Sequence, residues 1–320
     1  MLRAHKTRKL RPRRRRAGNA ASRFVRLALA RLSASRLGRL ALPTLGGRQF
    51  WSDQLVFAGW RIQENVLTGH ARLLDARNVR RAWGSLDHCL VRFEELRARH
   101  RLRQSQKHMV VMVHGLFLAH TMFGGLGRWL ARRKIASLGF TYASTRHGLA
   151  DHARALCQVL SRLQEVETVT FVTYSLGALV VRRAMRMGAR QDGWRSRIKV
   201  RGLFMVAPPN RGARLAEVLL KRGPGRWLLA PVAADLMPAR ARRLPPPDTR
   251  YAIIAGGTGK ARGFNPFLAG DNDGCVTVAE TQLSAGDDLL VVNAPHSLLV
   301  NHKSTRQALA RFLKGASVAG

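Results

Sequence analysis

The chain has 320 residues, 46% of them apolar, and a formal net charge of +38 from 56 Lys and Arg against 18 Asp and Glu. That is enough apolar chain to bury a full core, so composition excludes a wholly disordered protein. No run approaches the roughly 18 apolar residues of a membrane span, and Cys89, Cys157 and Cys275 are far apart without a C-x-x-C. A disulfide framework and a zinc site are therefore not expected, no metal ligand set is visible, and a reducing, cytoplasmic setting is the default.

The charge is uneven. No Asp or Glu precedes Asp53, whereas residues 1–50 hold fifteen Lys or Arg. Residues 1–43 read as a basic N-terminal arm without regular structure. Phe24–Leu40, taken as a helix, spreads its arginines all round and makes a weak amphipathic anchor. Arg26 and Arg31 interrupt the stretch that would otherwise serve as a secretory h-region. An Arg-rich, acid-free start also resembles an organelle transit peptide. Basic surfaces attract phosphates of anionic membrane or nucleic acid. The arm has few aromatics among its charges, which disfavours base stacking and nucleic acid. A plain solvated tail outweighs either partner, and peripheral attachment to a membrane is the alternative to a simple cytoplasmic location.

Residues 44–108 form a leader. Thr44–Asp75 carries Trp51, Trp60 and alternating Leu55 and Phe57, which predicts a strand pair. Leu86, Leu90, Phe93 and Leu96 recur at helical spacing after Ser85, a good N-cap, and Arg97–His108 reads as a charged linker. From Met109 the pattern alternates. Strands are predicted at Met109–Val113, Leu138–Ala143, Thr168–Thr173, Val200–Val206, Arg250–Ala255 and Leu289–Asn293. Helices are predicted at His120–Lys134, Ala150–Leu163, Leu176–Met187 and Ser304–Lys314. Apolar strands alternating with amphipathic helices imply an α/β fold: a mainly parallel sheet with helices on both faces, over residues 109–320.

In such a sheet, reactive groups belong at the carboxyl ends of strands. Ser175 stands there, in Phe171–Arg183 (FVTYSLGALVVRR). Thr173-Tyr174-Ser175-Leu176-Gly177 matches the G-x-S-x-G nucleophile elbow at the serine and the second glycine, with Thr173 in place of the first. Val110–Phe117 (VVMVHGLF) ends another strand in His-Gly. With these two motifs, residues 109–315 resemble the lipase and esterase branch of the α/β-hydrolase superfamily. Thr44–Asp75 resembles, less specifically, the leader of a bacterial lipase-like subgroup.

The resemblance implies a serine nucleophile, Ser175, followed in chain order by an acid and a histidine. It implies an oxyanion hole made by the backbone N–H groups of Leu116 and Leu176. Asp271-Asn272-Asp273-Gly274-Cys275-Val276 resembles an Asn-Asp-Gly-x-Val acid loop and favours Asp273, with Asp271 in reserve. Ala294-Pro295-His296-Ser297 places His296 where the family keeps its base, and His302 is the weaker candidate. The bland alternatives are Asx turns for the two aspartates and a satisfied loop histidine for His296. His114 is expected to bond the local backbone.

Gly256–Lys260 (GGTGK) fails as a phosphate loop: Ile254 stands where the first glycine is needed, and no Ser or Thr follows Lys260. No cofactor is expected. Residues 211–248, with Leu215, Val218, Leu219, Trp227–Leu229 and Pro245–Pro247, suit a cap over an acyl pocket and ordinary helix packing equally well. The reading is a serine hydrolase of small or lipid-like carboxylic esters, acting through Ser175, His296 and Asp273. An acyltransferase using the same residues is the first alternative. A basic binding protein on an idle hydrolase fold is the second.

Overall fold

The computed structural model describes residues 42–43, 48–104, 106–190, 193–215, 232 and 234–319. Residues 1–41 of the arm and most of the expected cap, residues 216–231 with Val218, Leu219 and Trp227–Leu229, lie outside the described residues. The arm's last two residues, Leu42–Pro43, form a short strand rather than irregular chain.

Two sheets organise the chain. The first is antiparallel, in the order β1-β5-β4-β3-β2, from β1 (Leu42–Pro43), β2 (Trp51–Phe57), β3 (Trp60–Asn65), β4 (Ala71–Leu74) and β5 (Val79–Gly84). The expected strand pair is thus part of a five-stranded sheet. Its later strands are short, and β5 carries two arginines, so alternation is faint there. Helix α1 (Leu86–Arg99), capped by Ser85 as expected, closes a small core of Leu55, Phe57, Ile62, Leu73 and Phe93.

The second sheet is parallel, in the order β11-β10-β9-β8-β6-β7. Its strands are β6 (His108–Val113), β7 (Ser137–Phe140), β8 (Thr168–Tyr174), β9 (Lys199–Val206), β10 (Tyr251–Gly256) and β11 (Leu289–Val292). Side chains alternate between two cores. Val111, Val113, Phe171 and Met205 pack beneath α3 (Leu149–Ser161) and α4 (Gly177–Gly188). Val110, Met112, Val172 and Phe204 pack beneath α2 (Gly124–Ala131) and α7 (Lys303–Leu313). Burial on both faces is why these strands read as continuous apolar runs. Two one-turn helices, α5 (Pro238–Ala241) and α6 (Val278–Thr281), complete the described elements used below. The helix expected over His120–Lys134 divides into a 3-10 turn, His120–Phe123, and α2, with Gly124 and Gly125 at the junction.

The antiparallel sheet is fastened to the parallel one by a buried polar knot. Asp53, fully buried, accepts from Arg61 at 2.7 Å, Gln63 at 2.8 Å and the Thr141 N–H at 2.7 Å, and its own N–H donates to the Thr141 carbonyl at 2.9 Å. Burial pushes the Asp53 carboxyl up, against the lowering by Arg61 and the hydrogen bonds. Both carboxylate oxygens of Asp53 find a donor, which such a buried group needs.

Candidate active site

β8 runs in the middle of the parallel sheet and stops at Tyr174. Ser175 follows in the left-handed region, φ 51°, and α4 starts two residues later. A non-glycine residue held there stores about 1 kcal/mol or more of strain, which the surroundings must impose. They do: the Ser175 N–H donates to the Val206 carbonyl of β9 at 2.9 Å, and its carbonyl accepts from Ala178 at 3.0 Å. Gly177 is required by contact. A Cβ there would lie 2.2 Å from the Val113 carbonyl oxygen. Thr173 needs no such freedom. It is still within β8, paired with Val113 and Met205, where a β-branched residue fits, and the chain bends only at Ser175.

The His-Gly motif lies opposite. His114 is fully buried, and burial pushes its imidazole down to about 3, so it is neutral. Its Nε2 accepts from the Tyr142 N–H at 3.2 Å, which leaves the proton on Nδ1, donated to the Gly115 carbonyl at 2.7 Å. Its ring stacks on Tyr142 with centroids 4.2 Å apart. The expected local role of His114 has a geometric meaning. The Gly115 carbonyl and the Leu116 N–H belong to one trans peptide and point in opposite directions. Holding the carbonyl fixes the N–H. Among the described residues, the N–H groups of Leu116 and Leu176 have no acceptor. Gly115 itself is close to the serine: a Cβ on it would lie 3.0 Å from Ser175 Cβ.

The acid loop follows β10 and the histidine follows β11. Asp273 is 1% exposed. Its Oδ1 accepts from the N–H groups of Cys275 at 2.9 Å and Val276 at 2.8 Å, and its Oδ2 faces His296 Nδ1 at 2.6 Å. The Asx turn and the histidine contact are thus both present, one on each oxygen. The His296 N–H also donates to the Asp273 carbonyl at 2.8 Å. With Nδ1 donating to a carboxylate, the free lone pair of His296 is on Nε2. Gly256, at the end of β10, leaves room for the acid: a Cβ there would lie 2.6 Å from Asp273 Cβ.

The structure separates the reserve candidates. Asp271 accepts from the N–H groups of Thr258 at 2.7 Å and Gly259 at 3.0 Å, so it closes the glycine-rich loop after β10. His302 caps α7, its Nδ1 accepting from the Ser304 N–H at 3.2 Å. Neither bonds His296.

The two halves meet through Tyr174. Its hydroxyl donates to the His296 carbonyl at 2.9 Å, and the two rings lie 4.9 Å apart. Ser175, one residue on, has no hydrogen-bond partner for its hydroxyl among the described residues. Cys275 places its sulfur within 4.8 Å of the Asp273 and His296 donor atoms. Burial raises the Cys275 thiol, which keeps it from being a thiolate ligand, and His296 Nδ1 and Asp273 Oδ2 are taken up by their mutual bond, so the set does not fit a metal ligand group. Sequence reasoning did not single out Tyr174 or Cys275 for this place. A cavity of about 590 Å³ lies elsewhere, between β2, the β3–β4 turn and α3, and no candidate residue lines it.

A family model described as a domain of unknown function (DUF7379) matches residues 82–220, less than half of the chain. No curated protein matches it in sequence. Solved structures are similar in architecture. The lipase BlEst2 of Bacillus licheniformis, in mature form, is 17% identical at a TM-score of 0.54, over 67% of this chain and 94% of that one. The metagenomic carboxyl esterase MGS0156 is 22% identical at a TM-score of 0.50, over 66% of this chain and 77% of that one. At such identities the likeness establishes architecture and nothing finer: the chain has the α/β-hydrolase fold, as seen in lipase and esterase structures.

Proposed function

We propose that the protein is a serine hydrolase of carboxylic esters. The observation that carries this reading is the 2.6 Å bond between buried Asp273 and His296, set beside a serine held in the left-handed region at the end of β8. Asp273 keeps the proton on His296 Nδ1, leaving Nε2 to act as the base. In the reaction Nε2 comes within about 3 Å of Ser175 Oγ and takes its proton as Oγ attacks the ester carbonyl. The N–H groups of Leu116 and Leu176 receive the developing oxyanion, each lowering the barrier by about 3 kcal/mol. His296 then protonates the leaving alcohol, and water releases the acid from the acyl-enzyme. An alcohol attacking in place of water would make the same site an acyltransferase.

The names of the similar lipase and esterase support the ester class. Lipid-like substrates are supported by exposed apolar side chains on loops at this end of the sheet: Phe117 after β6, Phe264 and Phe267 after β10, and Leu298 after β11. In the same reading the basic arm draws the enzyme to anionic membrane. Among the described residues no helix is long and apolar enough to cross one.

The test is hydrolysis of p-nitrophenyl esters of graded acyl length by the full chain and by Ser175→Ala. Turnover that falls by about 10³-fold or more in the variant is the expected result. Absence of any Ser175-dependent turnover across the series would contradict the reading.

A further inference from the structure

The oxyanion loop is braced from outside the parallel sheet. The Phe117 N–H donates to Ser144 Oγ at 3.0 Å. Ser144 Oγ donates its one proton to Gln49 Oε1 at 3.1 Å, and Thr145 Oγ1 donates to the same oxygen at 3.3 Å. Gln49 Nε2 donates to the Leu118 carbonyl at 3.3 Å. The side chain of Gln49, in the 3-10 turn Arg48–Phe50 just ahead of β2, therefore closes a ring around Phe117. Because the Ser144 proton is committed to Gln49, its lone pairs face the Phe117 N–H.

Phe117 needs such a brace. Its φ is 61°, in the left-handed region, and its side chain is 54% exposed, so neither backbone preference nor burial keeps it in place. The peptide held at Ser144 is the one that follows the Leu116 N–H, and His114 holds the peptide that contains it. Fixing both neighbours fixes the direction of that N–H. The support is itself anchored along one loop: Asp53 pairs with Thr141, Gln49 with Ser144 and Thr145, and the Arg146 guanidinium lies 4.6 Å over the Phe50 ring.

We infer that Gln49 is a positioning residue for the oxyanion loop, and that the antiparallel leader is part of the catalytic machinery. This rests on the ester-hydrolase reading and deepens it. A donor displaced by even about 1 Å loses much of its effect on a transition state, roughly a hundredfold in rate at most here, while ground-state binding is little altered.

The experiment uses the full chain as wild type, Gln49→Ala and Gln49→Glu. Glu keeps an acceptor for the two hydroxyls and loses the donor to Leu118. Four readouts are compared: fluorophosphonate labelling of Ser175, kcat and KM on a short p-nitrophenyl ester, amide hydrogen exchange of the peptide spanning residues 114–119, and the melting midpoint. In Gln49→Ala, exchange in that peptide should quicken by about tenfold, kcat should fall by about ten- to hundredfold, and KM should stay within about threefold. Gln49→Glu should recover part of kcat and carries the test if Gln49→Ala does not fold. Unchanged exchange, unchanged kcat, or a kcat loss that only follows the melting midpoint would overturn the role of Gln49. A wild type that neither labels at Ser175 nor turns over ester refutes the ester-hydrolase reading and this role with it. A labelled, active wild type beside a fully active Gln49→Ala refutes this role alone.

Discussion

The two halves of the candidate site are built by different physics. The serine half is made of backbone packed against backbone. Ser175 is held by main-chain bonds to β9 and α4, and Gly177 is pressed against the Val113 carbonyl. The acid–base half is made of loops held by side-chain hydrogen bonds, with Asp273 accepting three and Asp271 closing the neighbouring turn. Changes in the first half should therefore disturb folding and chemistry together. Changes in the second half should remove chemistry from a protein that still folds.

The largest expected effect is on chemistry in the second half. Asp273→Asn and His296→Ala should each lower kcat by about 10⁴-fold, with circular dichroism and melting close to wild type. Loss of folded structure in both would break the contrast between the halves. Next is Gly177→Ala. One methyl placed 2.2 Å from a carbonyl oxygen should cost about 3 kcal/mol or prevent folding, read as a lowered denaturant midpoint. A normally stable, active Gly177→Ala would show that the serine half is more pliable than its contacts imply.

A third expectation concerns acid. Burial lowers the imidazoles of His114 to about 3 and His152 to about 4, from an ordinary 6.5. The unfolded chain takes up these protons below its own pKa and the native one does not, so stability present above about pH 6.5 is lost as pH falls towards 4. Each histidine contributes about 1.4 kcal/mol per pH unit in that window. Urea midpoints taken from about pH 7 to about pH 5 measure it, and a flat profile would contradict the neutral His114 on which the Leu116 peptide depends. The smallest effect sharpens the choice between two aspartates. Asp271→Ala should cost about 1–3 kcal/mol through the loop it closes, yet keep kcat within about tenfold, unlike Asp273→Asn.

Much of this was legible in the sequence, and the reason is burial. Strands β6, β8 and β9 are covered on both faces, so they stand out as apolar runs, and the serine and His-Gly motifs fall at their ends. The antiparallel leader was less visible. Arg61 sits inside it only because Asp53, eight residues earlier, neutralises it, and no periodicity reveals that pairing. Asp271 and Asp273 are two residues apart in one loop; the resemblance to an Asn-Asp-Gly-x-Val loop favours Asp273, but what each carboxylate bonds is visible only in the fold. Gln49 carries no signal at all. Its place depends on hydroxyls about ninety-five residues away, brought near by the docking of one sheet on another.

The most direct test of the central claim is labelling with a fluorophosphonate, followed by mapping of the modified peptide in wild type, His296→Ala and Asp273→Asn. An activated serine predicts a single adduct at Ser175, lost in His296→Ala and strongly slowed in Asp273→Asn. A well-folded wild type that takes no label at Ser175, or labels equally without His296, would contradict the assignment of Ser175, His296 and Asp273 as one catalytic unit.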